Sequence, residues 1–389
     1  MPMWAAWIVF RKELLDALRD RRTLAVVLLS SVALGPLVLA LLSTLVADAE
    51  RRAQAREVVV AGIEHAPTLR NYIERQTWRV RAAPPDYERL LRDSRLGDPV
   101  VVVAPGFEAE LAAARTPLVE VLGSSGNRRA QAASGRVLQL LQGFNREQTL
   151  LRLAWRGVSP TLLEAVQFEP RDLADPAARA LQFTAMLPFF VLMAVLYGAL
   201  NAALDSTAGE RERGSLEPLL MNPASPLAIV AGKWAAVSAV ALLIAVLSCF
   251  SFIPAQWLLR SDTLAALFQF GVREALWFVA IIAPFAAALS ALLMAVAIRC
   301  KSVKEAQASS AVVVLGVSLM PLVGLLNPGG EERWHFWVPA LAQNTLMTRV
   351  LKGDALTAEP LFVSLGVCAL LALLGVGFVA RVLRRAAVR

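Results

Sequence analysis

The residue types that most often build zinc sites are scarce in this 389-residue chain, which has two histidines and three cysteines. Its two histidines, His65 and His335, lie far apart in sequence, and the chain contains no HExxH pair. The zinc site of a hydrolase needs several such ligands at short spacing. The sequence therefore predicts no catalytic residue and no metal site, which disfavours a hydrolase.

Gly232 and Lys233 resemble the end of a phosphate-binding loop, and they are the second candidate for chemistry. Trp234 stands where that loop has the Ser or Thr that holds magnesium, and Leu227 stands where its first glycine belongs. A basic side chain that extends from a helix end towards water explains Lys233 better. We therefore predict that the chain has no cofactor of its own and binds no ATP through such a loop.

The segment 205–226 is charged and rich in turn residues, and it separates two long apolar runs. Charges cannot lie in hydrocarbon, and the prolines of the segment prevent either flanking helix from continuing through it. Ser225 followed by Pro226 predicts the cap and the first turn of the next helix. These signals isolate a short helix at 215–221 and predict a docking element. The candidate docking residues are Glu210, Arg211, Arg213, Ser215, Leu216, Glu217, Leu219 and Leu220. A solvated loop that merely ends two helices is the alternative.

The elements that must position this segment are long apolar runs. With 57% hydrophobic and 18% charged residues and a mean hydropathy of +0.56, the chain is too apolar for a soluble protein of its length. Six runs are long enough, at about 1.5 Å per residue, to cross a hydrocarbon core about 30 Å thick. The predicted spans are 24–47, 181–204, 227–259, 275–298, 306–328 and 359–380. The predicted fold class is an α-helical polytopic membrane protein.

Basic residues in the short flanks of the spans predict their orientation. The flanks rich in Lys and Arg are 1–23, 205–226, 299–305 and 381–389, and the poorer ones are 260–274 and 329–358. Both termini and the segment 205–226 should therefore be cytoplasmic, and 48–180 should lie outside. The net charge of +8 arises mostly from this asymmetry, which argues against nucleic-acid binding.

Residues 48–180 predict an independent α/β domain outside the membrane. The predicted strands, rich in β-branched residues, are 57–63, 77–82, 99–104 and 117–122. The predicted helices are 66–76, 84–94 and 105–114, with a long helix after the turn residues 124–127. The four valines 100–103 predict a central strand covered on both faces. The domain has no cysteine, so no disulfide framework is implied.

Residues 1–23 predict an amphipathic helix at the membrane surface. Trp4, Trp7 and Leu15 belong to its apolar positions, and charged residues such as Arg11 and Lys12 lie between them. An anchor at the lipid headgroups and a surface that contacts a partner are both consistent with this pattern.

The cores of the six predicted spans contain no ionisable side chain, which argues against ion-coupled secondary transport. Asn201, near the cytoplasmic end of the second span, is a candidate for a transport pathway, and Ser238 and Asn344 are two others. Close helix packing is the alternative role for such small polar residues.

The segment 205–226 resembles the one that follows the second span in ABC-2 type transporter permeases. The resemblance is carried by the run RERGSLEPLL at 211–220, followed by Asn222-Pro223, Ser225-Pro226 and Gly232-Lys233. The arrangement of the whole chain is similar to the NatB-like, sodium-exporter branch of that family. That arrangement is a charged amphipathic N-terminal helix, one span, a large external domain and five further spans.

This resemblance implies a permease subunit of an ATP-driven exporter rather than an enzyme. It implies two copies of an ABC ATPase subunit as partners, which bind the ATP and magnesium, and a second copy of this chain. The complex would lie in the lipid bilayer of the bacterial plasma membrane, with no nucleic acid involved.

By the same resemblance, 215–221 is a coupling helix that fits a groove on the ATPase. The charged residues Glu210, Arg211, Glu212 and Arg213 would then pair with charges around that groove. The segment 329–358, which contains Asn344, would form a short re-entrant or interfacial helix at the outer end of the pathway.

Two other classes of function remain open from the sequence. A receptor or assembly factor could sense through 48–180 and signal through 205–226, and copurification with an ATPase would reject it. A membrane-embedded enzyme would need a polar catalytic cluster, which the sequence lacks. Among substrates, the resemblance suggests Na⁺, whereas spans without carboxylates suit drugs, peptides or amphiphiles.

Overall fold

A computed structural model describes residues 2–20, 32–124, 128–159, 184–215, 224–268, 270–326 and 331–387, with the single positions 25, 29 and 218. The chain divides into two compact units. One is Asp48–Asp172, and the other combines Met1–Ala47 with Leu173–Arg389. The first unit carries a β-sheet, and the second carries the long apolar helices.

Two helices, α1 (Pro2–Arg19) and α2 (Leu34–Ala55), precede a four-stranded sheet. The strands are β1 (Glu57–Ala61), β2 (Arg79–Ala82), β3 (Val100–Val103) and β4 (Val119–Leu122). Their spatial order is β2-β1-β3-β4, with β1 parallel to β2 and β3, and β4 antiparallel to β3. All four predicted strands are confirmed, and β1 and β3 are central.

Helices alternate with these strands, as predicted. They are α3 (Pro67–Arg75), α4 (Tyr87–Arg92), α5 (Phe107–Ala112) and α6 (Arg128–Trp155). The sheet is covered on both faces because its valines alternate: Val58 and Val60 belong to one core cluster, and Val59 and Val100 to another. Several elements are shorter than predicted because residues between them have positive φ. Thr77, for example, has φ +62 and cannot continue β2 towards its N-terminus.

The other unit consists of helices. They are α7 (Leu187–Leu204), α8 (Glu210–Glu212), α9 (Pro226–Ala255), α10 (Asp262–Leu267), α11 (Val272–Ala297), α12 (Val303–Leu326), α13 (Leu341–Lys352) and α14 (Ala358–Ala387). Buried side chains of α7, α9 and α11 form most of its hydrophobic core.

Within the described residues, five helices are long and apolar enough to cross a membrane. They are Leu187–Glu212, Pro226–Leu258, Val272–Ala297, Val303–Val323 and Ala358–Arg385. These match the second to sixth predicted spans. The first predicted span, 24–47, lies partly outside the described residues, and its described part contains a shorter apolar helix, Leu34–Asp48.

Three of the long helices contain an internal proline: Pro254 in α9, Pro284 in α11 and Pro321 in α12. Proline removes one backbone hydrogen bond and bends a helix, which opens space beside it. The helices also differ in burial: 67% of the apolar window of Leu187–Glu212 is buried inside the chain, but only 11% of that of Val303–Val323. Most of the surface of α12 is therefore available to lipid or to another chain.

Candidate functional site

The described part of the predicted docking segment extends the helix that begins at Leu187. A π-helical turn, Asp205–Gly209, follows α7 and leads directly into α8. Gly214 then ends the helix with φ +68, and the Ser215 amide donates to the Glu210 carbonyl at 3.0 Å. This is a Schellman-type helix end, which needs a left-handed residue and favours glycine. The charges of the segment are therefore held on a helix end and its cap.

Lys233 lies at the centre of a buried group of charges and is only 3% exposed. Its Nζ lies 2.7 Å from Glu210 Oε1 and 3.1 Å from Glu13 Oε1. It also donates to the Ser206 carbonyl of the π-helical turn at 3.1 Å. We call Glu13, Glu210 and Lys233 the buried charge cluster. Its members come from α1, α8 and α9, so the cluster joins three elements.

The expectation that Lys233 extends towards water is wrong. Two carboxylates from other elements take the place of water around its ammonium group, so the side chain stays inside. Glu210 is also buried, and its Oε2 has no hydrogen-bond partner in the structure. Removal of one partner of a buried ion pair is costly, because the other charge is then left in the interior without compensation.

A close approach of α1 to α9 makes this cluster possible. A Cβ atom placed on Gly232 would lie 2.6 Å from the Ala6 carbonyl oxygen and 2.7 Å from Val9 Cβ. Only glycine fits at that distance, and Glu13 is thereby brought next to Lys233. The glycine-lysine pair thus has a packing role here.

Lys12 lies at the edge of the cluster, with its side chain half exposed. Its Nζ is 3.1 Å from Glu13 Oε1 and 3.8 Å from both Asp16 Oδ2 and Glu210 Oε1. Partial burial acts to lower the pKa of Lys12, but the hydrogen bond with Glu13 and the surrounding carboxylates outweigh burial and raise it. Lys12 therefore remains charged at neutral pH.

The next two charged residues of the segment contact the connection between α11 and α12. Arg211 Nη1 donates to the Cys300 carbonyl at 3.2 Å. Glu212 Oε2 accepts from the Val303 amide at 2.8 Å, at the N-terminus of α12. A carboxylate there satisfies an amide that has no partner within its helix, and it interacts favourably with the helix dipole. The segment 205–215 is thus bonded to the connection between α11 and α12, in addition to its contacts with α1 and α9.

Arg213 is paired with Asp205 across the π-helical turn. Its Nη2 donates to Asp205 Oδ1 at 2.8 Å. This hydrogen bond raises the pKa of Arg213 above its usual value. Both side chains are exposed, so the pair is a weak restraint compared with the buried charge cluster.

These contacts change the expectation for the charged docking residues. Glu210, Arg211, Glu212 and Arg213 all have partners inside this chain, and Glu210 faces inward. Ser215 also faces its own helix, since its hydroxyl donates to the Glu210 carbonyl. Leu216, Glu217, Leu219 and Leu220 lie outside the described residues.

The predicted start of the next helix is confirmed. Pro226 is the first residue of α9, and Ser225 Oγ accepts from the Ala228 amide at 3.3 Å. A serine cap followed by proline is typical of helix N-termini.

The three pathway candidates lie on three different helices. Asn201 is exposed on α7, and Asn344 is half-buried on α13. Ser238 is half-buried on α9, and its Oγ is buried without a hydrogen-bond partner in the structure. Their role in a pathway stays a prediction.

The segment after α12 contains the predicted short helix, α13. Gln343 fastens its first turn: Oε1 accepts from the Ala340 amide at 2.8 Å, and Nε2 donates to Ser364 Oγ of α14 at 2.9 Å. Gln343 is completely buried, so both ends of its amide group are paired as burial requires. The position of α13 relative to a membrane stays a prediction.

A cavity of about 270 Å³ lies among the long helices. It is lined by Phe285, Ala288, Leu289, Leu292, Val313, Gly316, Val317, Met320, Pro339 and Leu371. Every lining residue is apolar. Phe285 directly follows Pro284 and Met320 directly precedes Pro321, so two lining residues are the sequence neighbours of prolines inside helices. Sequence reasoning missed this cavity, although prolines within apolar runs were a usable signal.

The comparison with known proteins agrees with the resemblance noted in the sequence. The family model described as "ABC-2 family transporter protein" matches residues 7–385. The chain is 26% identical, over 356 residues that cover 89% of each chain, to the ABC transporter permease protein NatB of Bacillus subtilis strain 168. No solved structure matches the chain. The family match covers almost the whole sequence, and with several long apolar helices it describes a multi-pass protein of the bacterial plasma membrane. The chain therefore belongs to the ABC-2 family of transporter proteins.

Proposed function

We propose that this chain is the membrane subunit of an exporter whose energy comes from ATP hydrolysis in a separate subunit. Two copies of the chain would associate with two ATPase subunits, and the helix at 215–221 would dock each ATPase. The termini and 205–226 would face the cytoplasm, with 48–180 on the other side. Membership of the ABC-2 family and the similarity to a NatB permease support this proposal.

The observation that carries the proposal is how the segment before 215–221 is fastened. Glu210 of this segment pairs with Lys12 of α1 and Lys233 of α9. Arg211 and Glu212 bond to the connection between α11 and α12. A force applied at the docking helix would therefore reach several helices at once, through short polar contacts and not through a flexible loop. This is the mechanical property that a coupling element needs, since coupling travels through packed side chains and hydrogen bonds between rigid elements.

For the substrate, the cavity favours an apolar or amphiphilic molecule over Na⁺. Sodium is a hard cation that binds through oxygen ligands, as calcium and magnesium do. The ten residues that line the cavity have apolar side chains, so their side chains offer sodium no such ligand. An uncharged cavity of this kind suits a hydrocarbon chain or a ring.

Deletion of 215–221 tests the docking hypothesis. The deletion should abolish copurification of the ATPase with the solubilised chain, and it should abolish transport by cells that express both subunits. An intact yield of monodisperse permease would show that the membrane part still folds. Retained ATPase binding together with retained transport would contradict the proposal.

A further inference from the structure

Helix α1 has two different faces. The face with Ala6, Val9 and Glu13 packs against α9, where Gly232 allows the close approach. The opposite face is exposed and carries large apolar side chains. Its apolar residues include Met3 (85% exposed), Trp4 (73%), Trp7 (60%), Ile8 (47%), Leu15 (41%) and Leu18 (40%). This exposed face, with no protein over it in the described residues, is called the outer face of α1.

Cations lie among these apolar residues. A surface groove of about 480 Å³ is lined by Trp4, Trp7, Ile8, Arg11, Lys12, Leu15, Asp16 and Arg19. Three of its residues are basic and one is acidic. Arg11 and Arg19 are exposed and form no ion pair with any residue that the structure describes. Their charges are therefore available to an anionic ligand.

The surrounding sequence adds to this charge. Arg21 and Arg22 follow α1 and immediately precede the first apolar run, so five basic residues lie within 11–22. Clusters of four or more Lys or Arg beside a membrane span, or on an amphipathic helix, are typical of binding to anionic lipid. Tryptophan is enriched at the level of the headgroups, where its ring contacts acyl chains and its N–H contacts water.

We infer that the outer face of α1 binds the headgroup of an anionic phospholipid. Trp4, Trp7 and Leu15 would contact the upper acyl chains, and Arg11 and Arg19 would contact the phosphate. An apolar face combined with cations is the arrangement by which interfacial helices bind anionic membranes. The inference rests on the proposed function only in that α1 must lie at the membrane surface.

The test is native mass spectrometry of the full-length chain in detergent, without ATPase or nucleotide. Palmitoyl-oleoyl phosphatidylglycerol is compared with palmitoyl-oleoyl phosphatidylcholine. The variant is Arg11→Gln with Arg19→Gln. Lys12 is left unchanged because its ammonium group also contacts Glu13 and Glu210. The matched control is Arg89→Gln with Arg92→Gln, which removes two charges from exposed positions of the sheet unit, away from the basic flanks of the predicted spans.

Wild type should retain phosphatidylglycerol in preference to phosphatidylcholine. Each basic residue near an anionic surface raises the affinity for it about fivefold. The ratio of phosphatidylglycerol to phosphatidylcholine affinity should therefore be about 25-fold lower in the double variant than in wild type. The control variant should keep it, and Arg11→Lys with Arg19→Lys should also keep it because the charges remain. Equal melting temperatures of the two Gln variants would show that the loss does not come from unfolding.

Three results would overturn the inference. One is equal phosphatidylglycerol retention by wild type and the Arg11→Gln, Arg19→Gln variant. A second is complete displacement of the lipid by millimolar inorganic phosphate, which would assign the cations to free phosphate. The third concerns a separate copurification experiment with the ATPase. If the Arg11→Gln, Arg19→Gln variant keeps the lipid as wild type does but no longer copurifies with the ATPase, the outer face of α1 is a protein contact. Failure of ATPase docking at 215–221 would leave the lipid measurement unaffected, so the two hypotheses fail separately.

Discussion

Glu210 and Lys233 illustrate how a charged residue can be misjudged from its neighbours in sequence. Glu210 belongs to a run of four charged residues, which suggests a solvated surface, yet it is buried against Lys233. Lys233 follows Gly232 at the start of an apolar run, which suggests a side chain extending into water, yet it is nearly inaccessible. The two side chains are buried against each other, with Glu13 as the third member of the cluster.

Replacement of Lys233 by methionine should destabilise the chain strongly. It removes both ion pairs of Lys233 and leaves the carboxylates of Glu13 and Glu210 with only the half-exposed Lys12 as a neighbouring cation. Loss of one partner of a buried pair costs about 3–5 kcal/mol. The melting temperature of the purified chain in detergent measures the effect.

Lys12→Met is the matched control for that substitution. Lys12 contacts the same two carboxylates, but its side chain is half exposed, and such pairs contribute about 0–1 kcal/mol. Its melting temperature should stay close to that of wild type. Equal losses in the two variants would show that the buried charge cluster has no special role in stability. The triple variant Lys233→Met, Glu13→Gln, Glu210→Gln removes the uncompensated carboxylates as well. A higher melting temperature than that of Lys233→Met alone would support the stabilising role of the buried charge cluster.

At the scale of elements, prolines in apolar helices explain where space opens. Pro284 in α11 and Pro321 in α12 each lie inside a continuous helix, next in sequence to a residue that lines the cavity. Gly316 lies on the cavity wall, and a Cβ added to it would meet no atom within 4 Å. The position can therefore accept a larger side chain without forcing α12 to move.

Gly316→Leu should fill part of the cavity. If the cavity belongs to the pathway, the rate of efflux of an apolar substrate should fall by tenfold or more. The expected size follows from overpacking, since forcing extra methylene groups beside a bound molecule costs about 1–3 kcal/mol. Efflux from cells that express the chain with its ATPase is the measurement. Folding should be unaffected, because leucine also favours a helix more than glycine does.

Gly377→Leu controls for a larger side chain in a membrane helix. Gly377 lies in α14, is also open to a Cβ atom, and does not line the cavity. Its efflux should equal that of wild type. If Gly316→Leu also leaves efflux unchanged for every apolar substrate tested, the cavity is not part of the pathway.

For the whole molecule, the distribution of basic residues predicts the same orientation for both termini and 205–226. The sheet unit, Asp48–Asp172, would then lie alone on the opposite side of the membrane. All three native cysteines, Cys249, Cys300 and Cys368, are buried, so new cysteines can be labelled against a low background.

Arg92→Cys should react in intact cells with a thiol reagent that cannot cross the membrane. Arg92 is 79% exposed in the sheet unit, and the positive-inside rule predicts that this unit lies outside. Arg384→Cys, near the end of α14, should react only after the cells are opened. Labelling of Arg384→Cys but not Arg92→Cys in intact cells would reverse the predicted orientation.

The elements of this protein follow from local patterns and were predictable. Apolar runs long enough to span a membrane, β-branched runs between helical ones, and a serine-proline helix start each depend on neighbouring residues, because secondary structure responds to periodicity and capping. Four strands, the Ser225 cap and five of the six predicted helices that are long and apolar enough to cross a membrane are therefore in the described residues. The family resemblance was likewise present in the linear sequence and was confirmed by the family match.

What only the tertiary structure decided is where the charges of the docking segment point. Glu13 and Lys233 are 220 residues apart in sequence, and no local pattern relates them. Their contact depends on Gly232 letting α1 approach α9, and Glu210 contacts the same ammonium group. Burial of a charge depends on which opposite charges the fold brings to it, so the inward pairing of 205–215 could not be read from sequence alone.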